Sequence, residues 1–204
     1  MRFPAIAACS VLLLTACVAV QPGSKPADPP SIRQGAADVL QGNRGDLVAL
    51  VFISHECPIA NAMVPDILDL ADEAKQLGVR VYAVHSASWV DDDAIARHAR
   101  EFGLNGRISV IADRSQAVAR AVGATVTPEG AVLRLDGTGG FDRLYLGRVN
   151  DLYAAIGRRR AQPTTHDLRD AMRAARAGVE PTEPAAKPIG CFIEFTAPAG
   201  GGAS

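Results

Sequence analysis

Among the residues of this 204-residue chain, Cys57 is the one best placed to do chemistry. It follows the apolar run Leu47–Ile53 and Ser54-His55-Glu56, and it precedes Pro58 and a stretch in which apolar residues recur at helical spacing from Met63 to Leu77. A thiol at a helix N-terminus meets free backbone N–H groups and the positive end of the helix dipole, which stabilise the thiolate and lower the pKa. Pro58 suits the first helical turn, where its missing N–H leaves nothing unpaired. A protonated His55 would assist the thiolate and Glu56 would oppose it.

The remaining chemistry-bearing residues are sparse. Four cysteines (Cys9, Cys17, Cys57 and Cys191) are too few for a disulfide scaffold in a chain of this length. His55, His85, His98 and His166 show no metal-ligand spacing, so no metal is expected. Cys57 with His55 and Cys191 would still suit Cu(I), which takes thiolate and imidazole. No glycine loop precedes a Lys to hold phosphate, and no cofactor is expected. The charges, 21 Lys+Arg against 22 Asp+Glu, leave no basic excess to neutralise phosphates, so nucleic acid is not an expected partner. The 48% hydrophobic content excludes a wholly disordered chain.

The first residues read as a secretory signal, with Arg2 ahead of an apolar stretch, Phe3–Leu14, too short for a membrane-spanning helix of roughly 20 residues. It ends in Leu14-Thr15-Ala16-Cys17, which resembles the bacterial lipobox and implies cleavage before an acylated Cys17. The expected organisation is a lipoprotein signal (1–16), an anchor and Pro-rich linker (17–31), a folded domain (32–157), a C-terminal helix and Cys-bearing tail (158–196) and a disordered end (197–204). The domain would stand in the bacterial periplasm, lipid-anchored to a membrane, with Val18 favouring the outer one. Cys57 and Cys191 are then the thiols left in the mature chain, in an oxidising compartment.

Around Cys57 the pattern predicts strands over Leu47–Ile53, Val79–Val84, Ile108–Ala112, Gly130–Leu135 and Arg143–Val149. It predicts helices after Cys57-Pro58 as far as Leu77, over Asp91–Phe102, Ser115–Val122 and Asn150–Ile156, and a further one from the cap Thr164-Thr165-His166-Asp167 to Ala177. The order βαβαβαββα calls for an α/β fold with a mixed central sheet and helices on both faces.

That order, with Cys57-Pro58 at the mouth of the first helix and Val126-Thr127-Pro128 before the last hairpin, resembles the thioredoxin fold. The resemblance implies that the Thr127-Pro128 bond is cis and lies beside Cys57. From Ser54-His55-Glu56-Cys57-Pro58-Ile59-Ala60-Asn61 to Gly190-Cys191 the chain is similar to peroxiredoxin-like redoxins of the AhpC/TSA group. It departs from Cys-x-x-Cys relatives at Ala60, and from peroxiredoxins at Leu50, where Pro would stand; Ser54 matches their Thr/Ser site. The peroxide-polarising Arg that the resemblance implies would be Arg148, which reads equally as a surface ion pair. Cys191 reads as the resolving thiol for an oxidised Cys57, carried back by the tail, or as a small hydrophobe among Ile189, Phe192 and Ile193.

The expected function is a membrane-tethered thiol oxidoreductase with peroxide or an oxidised protein thiol as substrate and an unidentified electron donor. The alternative is a non-catalytic module that uses the same Cys to bind copper or a protein.

Overall fold

The computed structural model describes residues 33–34, 39–181 and 185–197. The signal, the lipobox and the linker expected before residue 32 lie outside the described residues, as does the end after residue 197. Among the described residues no helix is long and apolar enough to cross a membrane.

The strand expected at Leu47–Ile53 forms there and is the hub of the sheet. In chain order the strands of this sheet are β1 (Arg33–Gln34), β2 (Leu47–Ile53), β3 (Arg80–His85), β4 (Ser109–Ala112), β6 (Glu129–Leu135) and β7 (Phe141–Gly147), with β5 (Val126–Thr127) leading into β6 from outside it. They lie side by side as β1-β4-β3-β2-β6-β7. The first four are parallel, whereas β6 runs antiparallel to both β2 and β7. Every residue of β2 is buried because the sheet is covered on both faces. Leu47, Ala49, Val51 and Ile53 enter one core, and Val48, Leu50 and Phe52 enter the other.

Helices α1 (Pro58–Leu77), α2 (Asp92–Glu101) and α4 (Asp167–Arg176) cover the first core; α3 (Ala117–Val122) covers the second. Helix α1 ends where Gly78, at φ 68°, adopts the left-handed cap and returns its N–H to Ala74 and Lys75. Helix α4 buries Leu168, Ala171, Met172 and Ala175, the spacing of one helical stripe. Gly130 on β6 makes room for it, since a Cβ there would stand 2.7 Å from a Leu168 methyl.

One expected element is absent. Residues 150–156 form no helix: Tyr153–Ala155 (β8) pairs antiparallel with Arg158–Arg159 (β9), turning at Gly157, φ 75°. Polar side chains compete with a helix here. Asn150 accepts the Leu152 N–H at 2.9 Å, and the Asp151 carboxylate accepts the N–H groups of Thr164 and Thr165 and the Thr164 hydroxyl. Helix α4, expected as an addition beyond residue 157, therefore closes the βαβαβαββα order itself.

Candidate active site

Cys57 caps α1 at the carboxyl end of the central strand. Its φ and ψ, -83° and 105°, are extended, its carbonyl accepts the first helical bond from Asn61 N–H (3.0 Å), and its Sγ accepts from Ala60 N–H at 3.4 Å. Pro58 occupies the first turn, and no acidic residue sits there. The Thr127-Pro128 bond is cis, as expected, and Cys57 Sγ donates to the Thr127 carbonyl at 3.0 Å.

Cys191 is already at this site. Residues Cys191–Phe192 form strand β10, which pairs antiparallel with β5 and sets Cys191 opposite Thr127. The Thr127 hydroxyl faces the Cys191 carbonyl at 3.4 Å, and Ile193 N–H donates to Thr125 O at 2.8 Å. The two free thiols face the same cavity and interact electrostatically. The tail is thus a docked strand rather than an arm that must swing in. Ile193 is buried in the second core, whereas Cys191 itself is exposed, so it is not packed as a small hydrophobe.

The thiols are unequal. Burial pushes the Cys57 thiol up, but hydrogen bonds from Ala60 N–H, the Cys191 thiol, the Thr127 side chain and the Cys191 backbone outweigh it, and the thiol lies below its ordinary value. Cys191 is pushed up to about 11 by partial burial, by its hydrogen bond to Cys57 and by the Cys57 charge. Cys57 therefore ionises first, and Cys191 keeps its proton while that charge persists.

Both thiols line a cavity of about 420 Å³ together with Ser54, Ser86, Trp89 and Phe192. Trp89 and Phe192 are 58% and 82% exposed and rim it with apolar surface. Ser54 shapes the turn before Cys57: its carbonyl accepts Cys57 N–H (3.1 Å) and its hydroxyl accepts Glu56 N–H (3.3 Å). Arg148 does not belong to the site. It forks onto both oxygens of Asp167 (2.8 and 3.0 Å) and onto Thr165, away from the residues lining the cavity, so the ion-pair reading holds for it. Among the described residues no group of three or more His, Cys, Asp or Glu is placed to hold a metal ion.

Three residues to which the sequence reading gave no role complete the surroundings. Asn61, one turn after Cys57, donates to the His55 carbonyl (3.0 Å) and meets His98 Nε2 at 2.9 Å, pinning the loop ahead of Cys57. Gln116 contacts both the cavity wall and the tail. Gly190 packs on the Thr127-Pro128 peptide so closely that a Cβ would lie 1.9 Å from Thr127 O. Only the neighbouring Cys191 hinted at Gly190 in the sequence; for Gln116 there was no signal. Gly190→Ala is expected to lift β10 off β5. Cys191 would then be alkylated faster and Ile193 N–H would lose its protection from exchange; unchanged exchange would show that the strand tolerates the methyl group.

The AhpC/TSA family description matches residues 34–136. Two solved structures are similar at 22% identity and a TM-score of 0.64 each. One is a hypothetical protein from Sinorhizobium meliloti, matched over 81% of this chain and 91% of that one. The other is an uncharacterized conserved protein from Geobacillus kaustophilus, matched over 82% and 89%. A secreted Mycobacterium tuberculosis disulfide oxidoreductase is similar at 19% identity over 69% of this chain and 84% of that one, with a TM-score of 0.42. A search of curated proteins gave no match. With half its length matched by that family, and with the mixed sheet and the cis Thr127-Pro128 bond beside Cys57, the chain belongs to the AhpC/TSA family, among the redoxins of the thioredoxin fold.

Proposed function

We propose that this protein is a periplasmic thiol–disulfide oxidoreductase, held at a membrane by the lipid on Cys17, in which Cys57 attacks a substrate disulfide and Cys191 resolves the product. The observation that carries this reading is that both thiols line one cavity and meet at Thr127, whose carbonyl accepts from Cys57 Sγ at 3.0 Å and whose backbone pairs with Cys191 on the docked strand.

In the first step Cys57 thiolate attacks one sulfur of the substrate disulfide; a Cys57–substrate bond forms, the substrate S–S bond breaks, and the second substrate sulfur leaves as thiolate. Neutralising Cys57 removes the charge that holds the Cys191 proton. Cys191 then loses its proton to the departing thiolate or to water and attacks Cys57 Sγ, and the remaining substrate sulfur leaves. The substrate gains two electrons and the protein ends with a Cys57–Cys191 disulfide, which an external dithiol must reduce before the next turnover. Peroxide is served less well here, because the charged residues lining the cavity are Glu56 and Glu194 and Arg148 is held by Asp167.

The test uses the full chain carrying Cys9→Ser and Cys17→Ser, so that Cys57 and Cys191 are its thiols. One equivalent of dithiodipyridine should yield a single Cys57–Cys191 disulfide by peptide mapping and two equivalents of thiopyridone. Separate pyridyl adducts on the two cysteines, with no protein disulfide, would overturn the reading. Faster oxidation by hydrogen peroxide than by the disulfide would replace the proposed substrate with peroxide.

A further inference from the structure

Gln116 stands apart from every other described residue. It is fully buried, and it alone among the described non-glycine residues has a positive φ, 58°. A side-chain-bearing residue persists in this left-handed region when its surroundings over-determine it, and such outliers gather where function needs them. The surroundings are the site and the tail. Gln116 Nε2 donates to Ser86 O (3.0 Å), on the cavity wall, and to Glu194 O (2.7 Å), three residues after Cys191. Its Oε1 accepts Thr196 N–H (2.9 Å) and the Thr196 hydroxyl (3.2 Å). Oε1 also takes a longer bond from Arg120 Nη2–H (3.4 Å), so no polar atom of this buried amide is left unpaired. Arg120, one turn along α3, stacks on Phe195 at 4.6 Å and hydrogen-bonds Thr196 O.

On the other side of Cys191, Arg148 N–H holds Ala186 O at 3.0 Å. The tail is therefore tied on both sides of β10, a strand of two residues, and directly after it Ile193 is buried in the second core with its N–H on Thr125 O. Two residue pairs are a weak ladder by themselves, and both side chains of β10 are exposed. The register that sets Cys191 against Thr127 is held from beyond the strand, by Ile193 on Thr125 and by Gln116 on Glu194 and Thr196.

We infer that Gln116 is a positioning residue for the second thiol: its amide clamps Glu194 and Thr196 to the cavity wall and so keeps Cys191 within reach of Cys57 when the mixed disulfide forms. This rests on the two-thiol reading above. Gln116 touches neither the substrate nor a sulfur. It acts by making the resolving step intramolecular and pre-aligned, which is where proximity has its effect on rate. The first attack, by Cys57 on an external disulfide, does not depend on the clamp.

Gln116→Asn keeps the amide and tolerates the left-handed backbone but is one methylene short of its partners. Thr196→Pro removes both Thr196 donors from an exposed position in the tail, where the domain's folding is not at stake. In the chain retaining Cys57 and Cys191, dithiodipyridine resolves into two releases of thiopyridone, one per step. Gln116→Asn is expected to lower the ratio of second to first rate about tenfold, and Thr196→Pro about threefold, while the first rate stays at the parental value and Cys57 carries a pyridyl adduct in the interval.

Parental ratios in both variants would overturn the inference, as would unchanged exchange protection of Ile193 N–H in both. Should Gln116→Asn fail to fold, Thr196→Pro decides alone. Cys191→Ser separates the two layers. If it abolishes the second release while the clamp variants leave it intact, only the role of Gln116 falls. If the second release survives Cys191→Ser at the parental rate, the two-thiol reading falls and the clamp with it.

Discussion

Cys191→Ser is expected to release one equivalent of thiopyridone where the parent releases two, and to leave a stable mixed disulfide on Cys57. A serine hydroxyl is not a nucleophile toward sulfur at neutral pH, so the sequence halts after the first bond exchange. The first rate should fall only modestly, because of the four hydrogen bonds that oppose burial at Cys57 the variant keeps those from Ala60 N–H, Thr127 and the residue-191 backbone. Cys57→Ser should behave very differently. Its one remaining thiol, Cys191, loses the hydrogen bond and the charge of Cys57 that hold it up at about 11, yet it sits on an exposed strand with no helix dipole behind it. It should react as an ordinary thiol does, slowly and once, with no fast phase. Stopped-flow absorbance with intact mass at each plateau checks both variants. A fast phase that survives in Cys57→Ser would assign the reactive thiol to Cys191 and reverse the roles.

The second large effect is on stability in acid. His85 and His98 are nearly fully buried, 1% and 3% exposed, with ring centroids 5.1 Å apart in an edge arrangement. Burial first, then the neighbouring imidazoles His98 and His55, push His85 down to about 3; burial and His55 push His98 down to about 4. Both are neutral in the fold. His98 lends its Nε2 to Asn61 Oδ1, whereas His98 Nδ1 and His85 Nε2 have no hydrogen-bond partner and therefore no acceptor waiting for a proton.

The unfolded chain takes up protons on both rings as pH falls through 6.5, and the folded chain does not until pH reaches about 4 and 3. Their contribution to stability is thus complete above pH 6.5 and is lost progressively below it, by about 2 kcal/mol per imidazole at pH 5. Asp113 and Glu129 work in the opposite direction, since burial raises both carboxyls in the fold. A variant isolates the imidazole effect: the loss of unfolding free energy between pH 7 and pH 5, measured in urea, should be about 2 kcal/mol smaller in His85→Phe than in the parent. Equal losses would mean that His85 is protonated in the folded protein.

The elements around Cys57 were legible because each depends on its own neighbours along the chain. Leu47–Ile53 is apolar at every position, as a strand covered on both faces must be, and it forms at those bounds. The helix after Cys57-Pro58 has its proline at the start and Gly78 at the stop, and α4 shows its apolar stripe between its cap and Gly178. The reactive position follows from the same local logic, since a Cys between a buried strand and a helix start meets the helix N–H groups wherever the rest of the chain goes.

What failed to show in the sequence depends on residues far apart. Asn150–Ile156 has a helical look, but Asp151 is claimed by Thr164 and Thr165 and the helix is lost to them. Arg148 could be assigned to the site until the approach of α4 brought Asp167 to it. Strand β10 carries no periodicity, being two exposed residues long, and its partner Thr127 lies 64 residues earlier. Gln116 looks like any polar residue before a short helix; its buried amide acquires a role only when Ser86 and the tail arrive at the same point. Helical and strand periodicities are encoded by near neighbours and can be read along the chain. The meeting of Cys57 with Cys191, 134 residues apart in the chain, follows from the pairing of β10 with β5 beside Cys57, set by how sheet, loop and tail close on one another, and only the tertiary structure decided it.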